Sequence, residues 1–166
     1  MKTLLTALCF ALSVAPMAAS AADVNSAGAA TLAPTAPAAG VVRVKSRYGM
    51  DETVRRLRAD IASKGIQFFT EIDQSHLGAA ANIPIRPSRL ILFGNPPLGV
   101  QFLSSNPYSG LDWPVRMLIL EEADGSISVA WTDFAYLANR YQITDRSAQF
   151  AMASAVAASI ASSTTQ

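Results

Sequence analysis

The sequence predicts an α+β fold: one compact domain whose largely antiparallel sheet of about five strands is covered on one face by helices. Three observations lead there. Segments with an apolar residue at every second position are interleaved with segments whose apolar residues recur every three or four. Most strand candidates alternate instead of reading as continuous Val/Ile runs, which favours antiparallel pairing with one wet face. The connections mix a tight hairpin turn, Ala123-Asp124-Gly125-Ser126, with longer crossovers.

The elements follow in chain order. Val41 to Tyr48 alternates, with Val42, Val44, Ser46 and Tyr48 on one face and Arg43, Lys45 and Arg47 on the other, a half-buried strand with a solvated basic face. Asp51 is placed to cap a helix reaching Lys64, with Val54, Leu57 and Ile61 as its apolar stripe and Gly65 where a left-handed residue ends it. Glu52 with Arg56 and Asp60 with Lys64 are favourable pairs one turn apart. Ile66 to Asp73 alternates as a second strand, and Gln74 to Asn82 is a short helix candidate. Pro84 and Pro87 exclude regular structure up to Ser88.

Arg89 to Phe93 is apolar on both faces and reads as a central strand; Val115 to Glu122 is the fourth and Ile127, Val129 and Trp131 mark the fifth. Thr132 or Asp133 caps a short helix carrying Phe134, Leu137 and Tyr141. Asp145 to about Ala161 is an Ala-rich helix with a thin apolar stripe of Phe150, Ala153, Val156, Ala157 and Ile160. No internal repeat is visible.

The ends give an address. Residues 1–21 read as a secretory signal peptide: Lys2, then the short apolar core Leu4 to Val14, the break at Pro16 and Ala19-Ser20-Ala21 before a cleavage at Ala22. That core is shorter than the roughly 20 residues a membrane-spanning helix needs, so no span is expected in the mature chain; a retained anchor is the competing reading. Cys9, the sole cysteine of the sequence, lies in the leader with Leu8 before it, which excludes a lipoprotein site. The mature chain is expected to hold no thiol, hence no disulfide, thiolate metal site or cysteine nucleophile. Export places the protein in the periplasm or outside the cell.

Residues 22–40, nearly uncharged and built from Ala, Pro, Ser, Thr and Gly, read as a disordered linker. The domain is expected over 41–162, with 163–166 as a tail. The formal net charge of +1 and the scattered basic residues exclude a nucleic-acid partner.

Two stiff segments stand out. Gly94-Asn95-Pro96-Pro97-Leu98-Gly99 resembles a phosphate cradle, but Pro96 and Pro97 have no N–H to offer one. A rigid turn, with a cis peptide before one of its prolines as an option, accounts for it better. The second segment is Gly110-Leu111-Asp112-Trp113-Pro114.

Taken with Tyr48-Gly49, Asp51-Glu52-Thr53, Lys64-Gly65, Glu71-Ile72-Asp73, Ile91-Leu92-Phe93-Gly94-Asn95-Pro96, Glu121-Glu122 and Leu137-Ala138-Asn139-Arg140-Tyr141, these segments make the chain similar to the domain-of-unknown-function 302 family over about Val42 to Ile143. The resemblance implies a compact α+β domain, some members secreted, with dimeric packing an option. It implies no reaction, cofactor or substrate. Many relatives carry His directly after the aspartate of the second strand; here Gln74 stands there, and the histidine is His76.

The candidate site is a ligand pocket between the stiff segments, built from Asn95, Asp112, Trp113 and Arg116. Asp112 either accepts local backbone N–H groups to hold its turn or faces a pocket as a carboxylate. Arg116 either locks the fold through Asp112 or Glu121 or grips an anionic ligand. Trp113, Trp131, Tyr136 and Tyr141 serve as core and edge aromatics or as walls of an apolar pocket. The leading expectation is a non-catalytic domain that binds a small ligand or an envelope protein and self-associates. The alternative is a hydrolase- or lyase-type enzyme using His76 with Asp73, Glu71 or Asp112. An envelope interaction module without any pocket is the third reading. One histidine among scattered carboxylates has no metal-ligand spacing, and neither metal nor cofactor is expected.

Overall fold

In the computed structural model, the described residues are 38–166, so the leader and most of the linker lie outside them. The elements are β1 (Val41–Lys45), α1 (Met50–Ser63), β2 (Gln67–Asp73), α2 (Gln74–Ala80), β3 (Ser88–Gly94), α3 (Pro96–Ser105), a 3₁₀ segment (Pro107–Asp112), β4 (Val115–Glu121), β5 (Ile127–Thr132), α4 (Phe134–Arg140) and α5 (Ser147–Thr165). The five strands form one sheet in the order β1-β5-β4-β3-β2, every neighbour antiparallel. This is the expected single α+β domain.

Cross-strand register decides which residues share a face. Val42, Trp131, Met117 and Ile91 stand in one row, and Val44, Val129 and Ile119 in the next. These rows meet Val54, Leu57 and Ile61 of α1 and Phe150, Ala153, Ala157 and Ile160 of α5 in a single core. Leu57, Ile61, Ile91, Met117 and Ile119 are fully buried; each contributes about 1.5–3 kcal/mol relative to staying in water. The opposite face carries Ile72, Leu90, Leu92, Leu118 and Leu120, half-buried against one another.

Several local expectations are corrected. Gly49, not Asp51, is the N-cap of α1. Thr53 instead ties the first turn: its Oγ1 donates to the Gly49 carbonyl at 2.9 Å and lies 2.8 Å from Ser46 Oγ. Asp51 points outward and accepts from Arg89 at 3.2 Å. The far end is as the sequence suggests. Gly65 has φ +63°, and the N–H groups of Gly65 and Ile66 donate back to Ala62 and Ile61, the paired bonds of a Schellman ending.

The alternation of β2 is interrupted at Phe69, where the register shifts between Phe68 and Thr70. Phe68 pairs with Phe93 on the helix-covered face, but beyond the bulge Glu71, not Thr70, shares that face with Ile91. The reason is electrostatic: there Glu71 meets Arg58 at 3.3 Å and Arg89 at 3.1 Å. The bulge also distorts an edge strand, which discourages pairing with foreign chains.

The segment after β3 is a helix where the sequence suggested a turn. Asn95 caps α3, its Oδ1 accepting from the Leu98 N–H at 3.3 Å, and Pro96 and Pro97 fill the first helical positions, where a missing N–H costs nothing. The one cis peptide among the described residues is Trp113–Pro114, not a bond of the Gly94–Gly99 stretch. Asp133, of the two cap candidates, caps α4, and Tyr141 is its C-cap.

Ordered structure continues past residues 41–162 at both ends. Residues 38–40, assigned to the linker, form a turn whose Gly40 carbonyl accepts from Asp133 N–H at 2.8 Å. Residues 163–165, assigned to a tail, complete α5: Thr164 and Thr165 are buried, their hydroxyls donating to the carbonyls of Ile160 and Ala161 at 2.6 and 2.8 Å.

Glu52 accepts from Arg55 and Arg56, and those guanidinium groups pull its carboxyl down to about 2. A folded-state value below the unfolded one stabilises the domain above about pH 4.5 and fades as pH falls through about 2. Glu52→Gln is therefore expected to flatten the acid limb of a stability–pH curve over that window, read by urea denaturation, with the wild-type advantage small at neutrality, because both partners are exposed, and gone below about pH 2.

Candidate functional site

A cavity of about 330 Å³ opens where the end of β3 and the start of α3 face the middle of α5. Phe93, Gly94, Asn95 and Leu98 form one side and Met152, Ala153, Val156 and Ala157 the other. Trp113, Val115, Phe134 and Ile66 complete an apolar wall, and Lys64 stands with Asn95 as its polar contribution. The space exists because α5 presents Ala153 and Ala157, one turn apart, where larger side chains would reach the sheet.

The indole of Trp113 is the fixed wall. It lies against the backbone of Gly94 and Gly99: a Cβ on Gly94 would come within 2.7 Å of Cζ2, and one on Gly99 would overlap Cε2, Cζ2 and Nε1. Gly94 and Gly99 are thus flat seats for the ring, a role for glycine that rests on close approach and not on a left-handed φ. The edge of the ring meets Phe102 at 6.4 Å between centroids. The two stiff segments therefore touch through this residue.

The four proposed pocket residues divide. Asn95 and Trp113 line the cavity. Asp112 does not: it borders two small voids of about 20 and 10 Å³ on the other side of Trp113 and Phe134. Its carboxylate, 10% exposed, accepts from Arg116 and from the Tyr141 hydroxyl, and Arg140 stands at 3.5 Å. Burial, then the hydrogen bond to Asp112, raises the Tyr141 phenol above its usual range. Arg116, 42% exposed, ends in that ion pair and lines the smaller void, not the cavity. Ser109 Oγ, buried beside the larger void, has no hydrogen-bond partner.

The acid–base candidates are engaged elsewhere. Asp73 is the N-cap of α2, accepting from the backbone N–H of His76 at 2.9 Å and from Ser75 Oγ at 2.6 Å. Those two bonds, with Arg89 nearby, hold its carboxyl below the usual aspartate range. Glu71 is occupied by Arg58 and Arg89. His76 is exposed on α2 and lines neither the cavity nor the voids beside Asp112. Among the described residues no three His, Cys, Asp or Glu side chains gather as a metal site, and no helix is long and apolar enough to cross a membrane.

Leu98, Phe134, Lys64 and the α5 side chains were not among the predicted site residues. The thin stripe of α5, small residues opposite bulky ones, is the sequence signal that marks them.

Comparison with known proteins agrees with this architecture. The structure matches the crystal structure of an uncharacterized conserved DUF302 protein from Bacillus stearothermophilus with a TM-score of 0.69 at 16% identity, covering 76% of this chain and 98% of that one; at that identity the likeness concerns the fold. By sequence, the chain is 35% identical over 104 residues to the fluoride-specific ion channels FluC 1 of Brucella suis biovar 1 and FluC 1 of Brucella abortus biovar 1. The match takes in 63% of this chain but only 41% and 38% of those proteins, so the chain spans about two fifths of the length of these curated relatives. The family model for the domain of unknown function DUF302 matches residues 42–162, nearly all of the folded part, and the chain belongs to that family.

Proposed function

We propose that this is an exported, non-catalytic binding domain that holds a small, largely apolar ligand in the cavity beside Trp113. The observation that carries the reading is the cavity itself: about 330 Å³, within the range of small-molecule sites, with apolar walls and a polar contribution from Asn95 and Lys64. It is roughly twice the size of an engineered apolar cavity that takes up benzene. The carboxylates and the histidine that an acid–base mechanism would need lie outside it. Export rests on the leader-like residues 1–21.

The test uses the protein's own reporter. Of the two tryptophans, Trp113 lines the cavity and Trp131 is sealed in the core. Titration with naphthalene or decanol is expected to shift the Trp113 emission and, at about a hundredfold over Kd, to raise Tm by roughly 10 °C. Val156→Phe, which places a ring in the cavity, should abolish both responses. Absence of any response from the wild-type chain would remove the reading.

A second reading follows from the relatives. Proteins named as fluoride-specific channels share this domain's sequence over only part of their length, and the segment described here has no helix suited to crossing a bilayer. On this reading the domain is the extramembrane part of such an assembly and acts beside a membrane partner. Retention of the tagged chain by envelope membranes containing a fluoride channel, and not by membranes lacking it, separates the two.

A further inference from the structure

We infer that the cavity selects an apolar carboxylic acid over neutral or cationic molecules of the same shape; this rests on the ligand-binding reading and narrows it to a chemical class. The polar groups of the cavity wall are unequal in kind. Its one ionisable side chain is Lys64, 31% exposed, and no carboxylate lines the wall, the nearest to the ammonium being its partner Asp60 at 2.7 Å. Asn95 is exposed and has its carboxamide oxygen committed to the Leu98 N–H, at 3.3 Å. With that oxygen turned to the helix N-terminus and one of its lone pairs used, the Asn95 group freest to meet a ligand is its NH₂, which only donates. The backbone beside it adds no acceptor preference of its own, because Pro96 and Pro97 have no N–H and the N–H groups of Leu98 and Gly99 already donate to the Asn95 carbonyl.

A ligand's polar end therefore meets donors: an ammonium and an amide. A carboxylate accepts from both, a hydroxyl gains less, and an ammonium is repelled by Lys64. Lys64 already bonds both oxygens of Asp60 at 2.7 Å. That pairing holds the ammonium in place with one of its three protons free, and it limits the gain in affinity, because the ligand shares the cation with Asp60. The body of the ligand is set by the rest of the wall. Phe93, Leu98 and Trp113 give no hydrogen bond to a chain or ring lying against them, and a volume near 330 Å³ suits roughly ten to fourteen heavy atoms. Met152, 58% exposed and part of the lining, adds an adaptable thioether that tolerates variation in that body.

The experiment compares decanoate, decanol and decylamine by Trp113 fluorescence on the full folded chain at low salt. Decanoate is expected to bind about five- to tenfold more tightly than decanol, with decylamine weakest, and the preference should shrink as salt screens Lys64. Lys64→Met is expected to erase the acid preference, read as the ratio of decanoate to decanol affinity within each protein. Equal or reversed ranking in the wild type, or a preference that survives Lys64→Met, overturns the carboxylate assignment and leaves the cavity reading standing. If none of the three binds while the chain remains folded by circular dichroism, the cavity reading itself fails, and this inference with it.

Discussion

Gly99→Ala is expected to destabilise the domain by about 3 kcal/mol or more, at the upper end of what overpacking costs. The added methyl has no free direction. It would occupy the space of Trp113 Cε2, Cζ2 and Nε1 at once, and the indole is not the loose end of a flexible chain. Phe102 stands edge-on to the ring and Pro114 follows it, so the larger space open to its retreat is the cavity, the void on its other side being about 20 Å³. Urea denaturation checks the stability, and Gly110→Ala is the control, since a Cβ there meets Leu103 at an ordinary 3.8 Å and should cost under about 1 kcal/mol. The same variant couples fold to site: with the ring pushed inward, the Trp113 response to apolar ligands should be lost even at temperatures where the chain remains folded. A Gly99→Ala protein with wild-type stability would mean that the ring is not seated on this backbone.

That dependence shows where sequence reasoning reached and where it stopped. Most strands are legible through their own alternation, Arg89 to Phe93 as a short run apolar on both faces, and the hairpin because Asp124-Gly125 needs only local chemistry, with Gly125 at φ +78°. The bulge at Phe69 is not. Nothing in Phe68-Phe69-Thr70 announces it, since its cause is Glu71 reaching Arg58 on α1 and Arg89 on β3. The helix α3 was missed for a different reason. Its signal, Asn before two prolines, is present, but a proline pair reads equally as a breaker and as the first turn of a helix. Asn95 and Trp113 were legible as unusual residues in stiff segments. The rest of the cavity comes from Lys64, Ile66, Phe134 and α5, so its convergence belongs to tertiary packing and has no local period to read.

Asp112→Ala is the second large effect, expected at about 2–4 kcal/mol, and it separates a residue that holds the fold from one that holds a ligand. Removing the carboxylate leaves the Tyr141 hydroxyl without its acceptor next to a buried ring, whereas Arg116 and Arg140, each partly exposed, recover water. The cost should therefore follow Tyr141 and not the arginines. Arg116→Ala is expected to cost under about 1 kcal/mol. Tyr141→Phe should lose about 1 kcal/mol and make a subsequent Asp112→Ala cheaper, so the double-mutant cycle has a coupling of about 1 kcal/mol or more. pH gives an independent handle. Because the folded phenol titrates above its ordinary value of 10.0, its contribution is complete below that pH and drains away as pH rises through the folded value. The wild type should lose stability on this alkaline limb, and Tyr141→Phe should lack that component. Since Asp112 does not touch the cavity, Asp112→Ala protein kept folded at low temperature should bind decanol within about twofold of wild type. A larger loss of affinity in the folded variant would restore Asp112 to the binding site and would mean that the wall formed by Trp113 and Phe134 opens when a ligand enters.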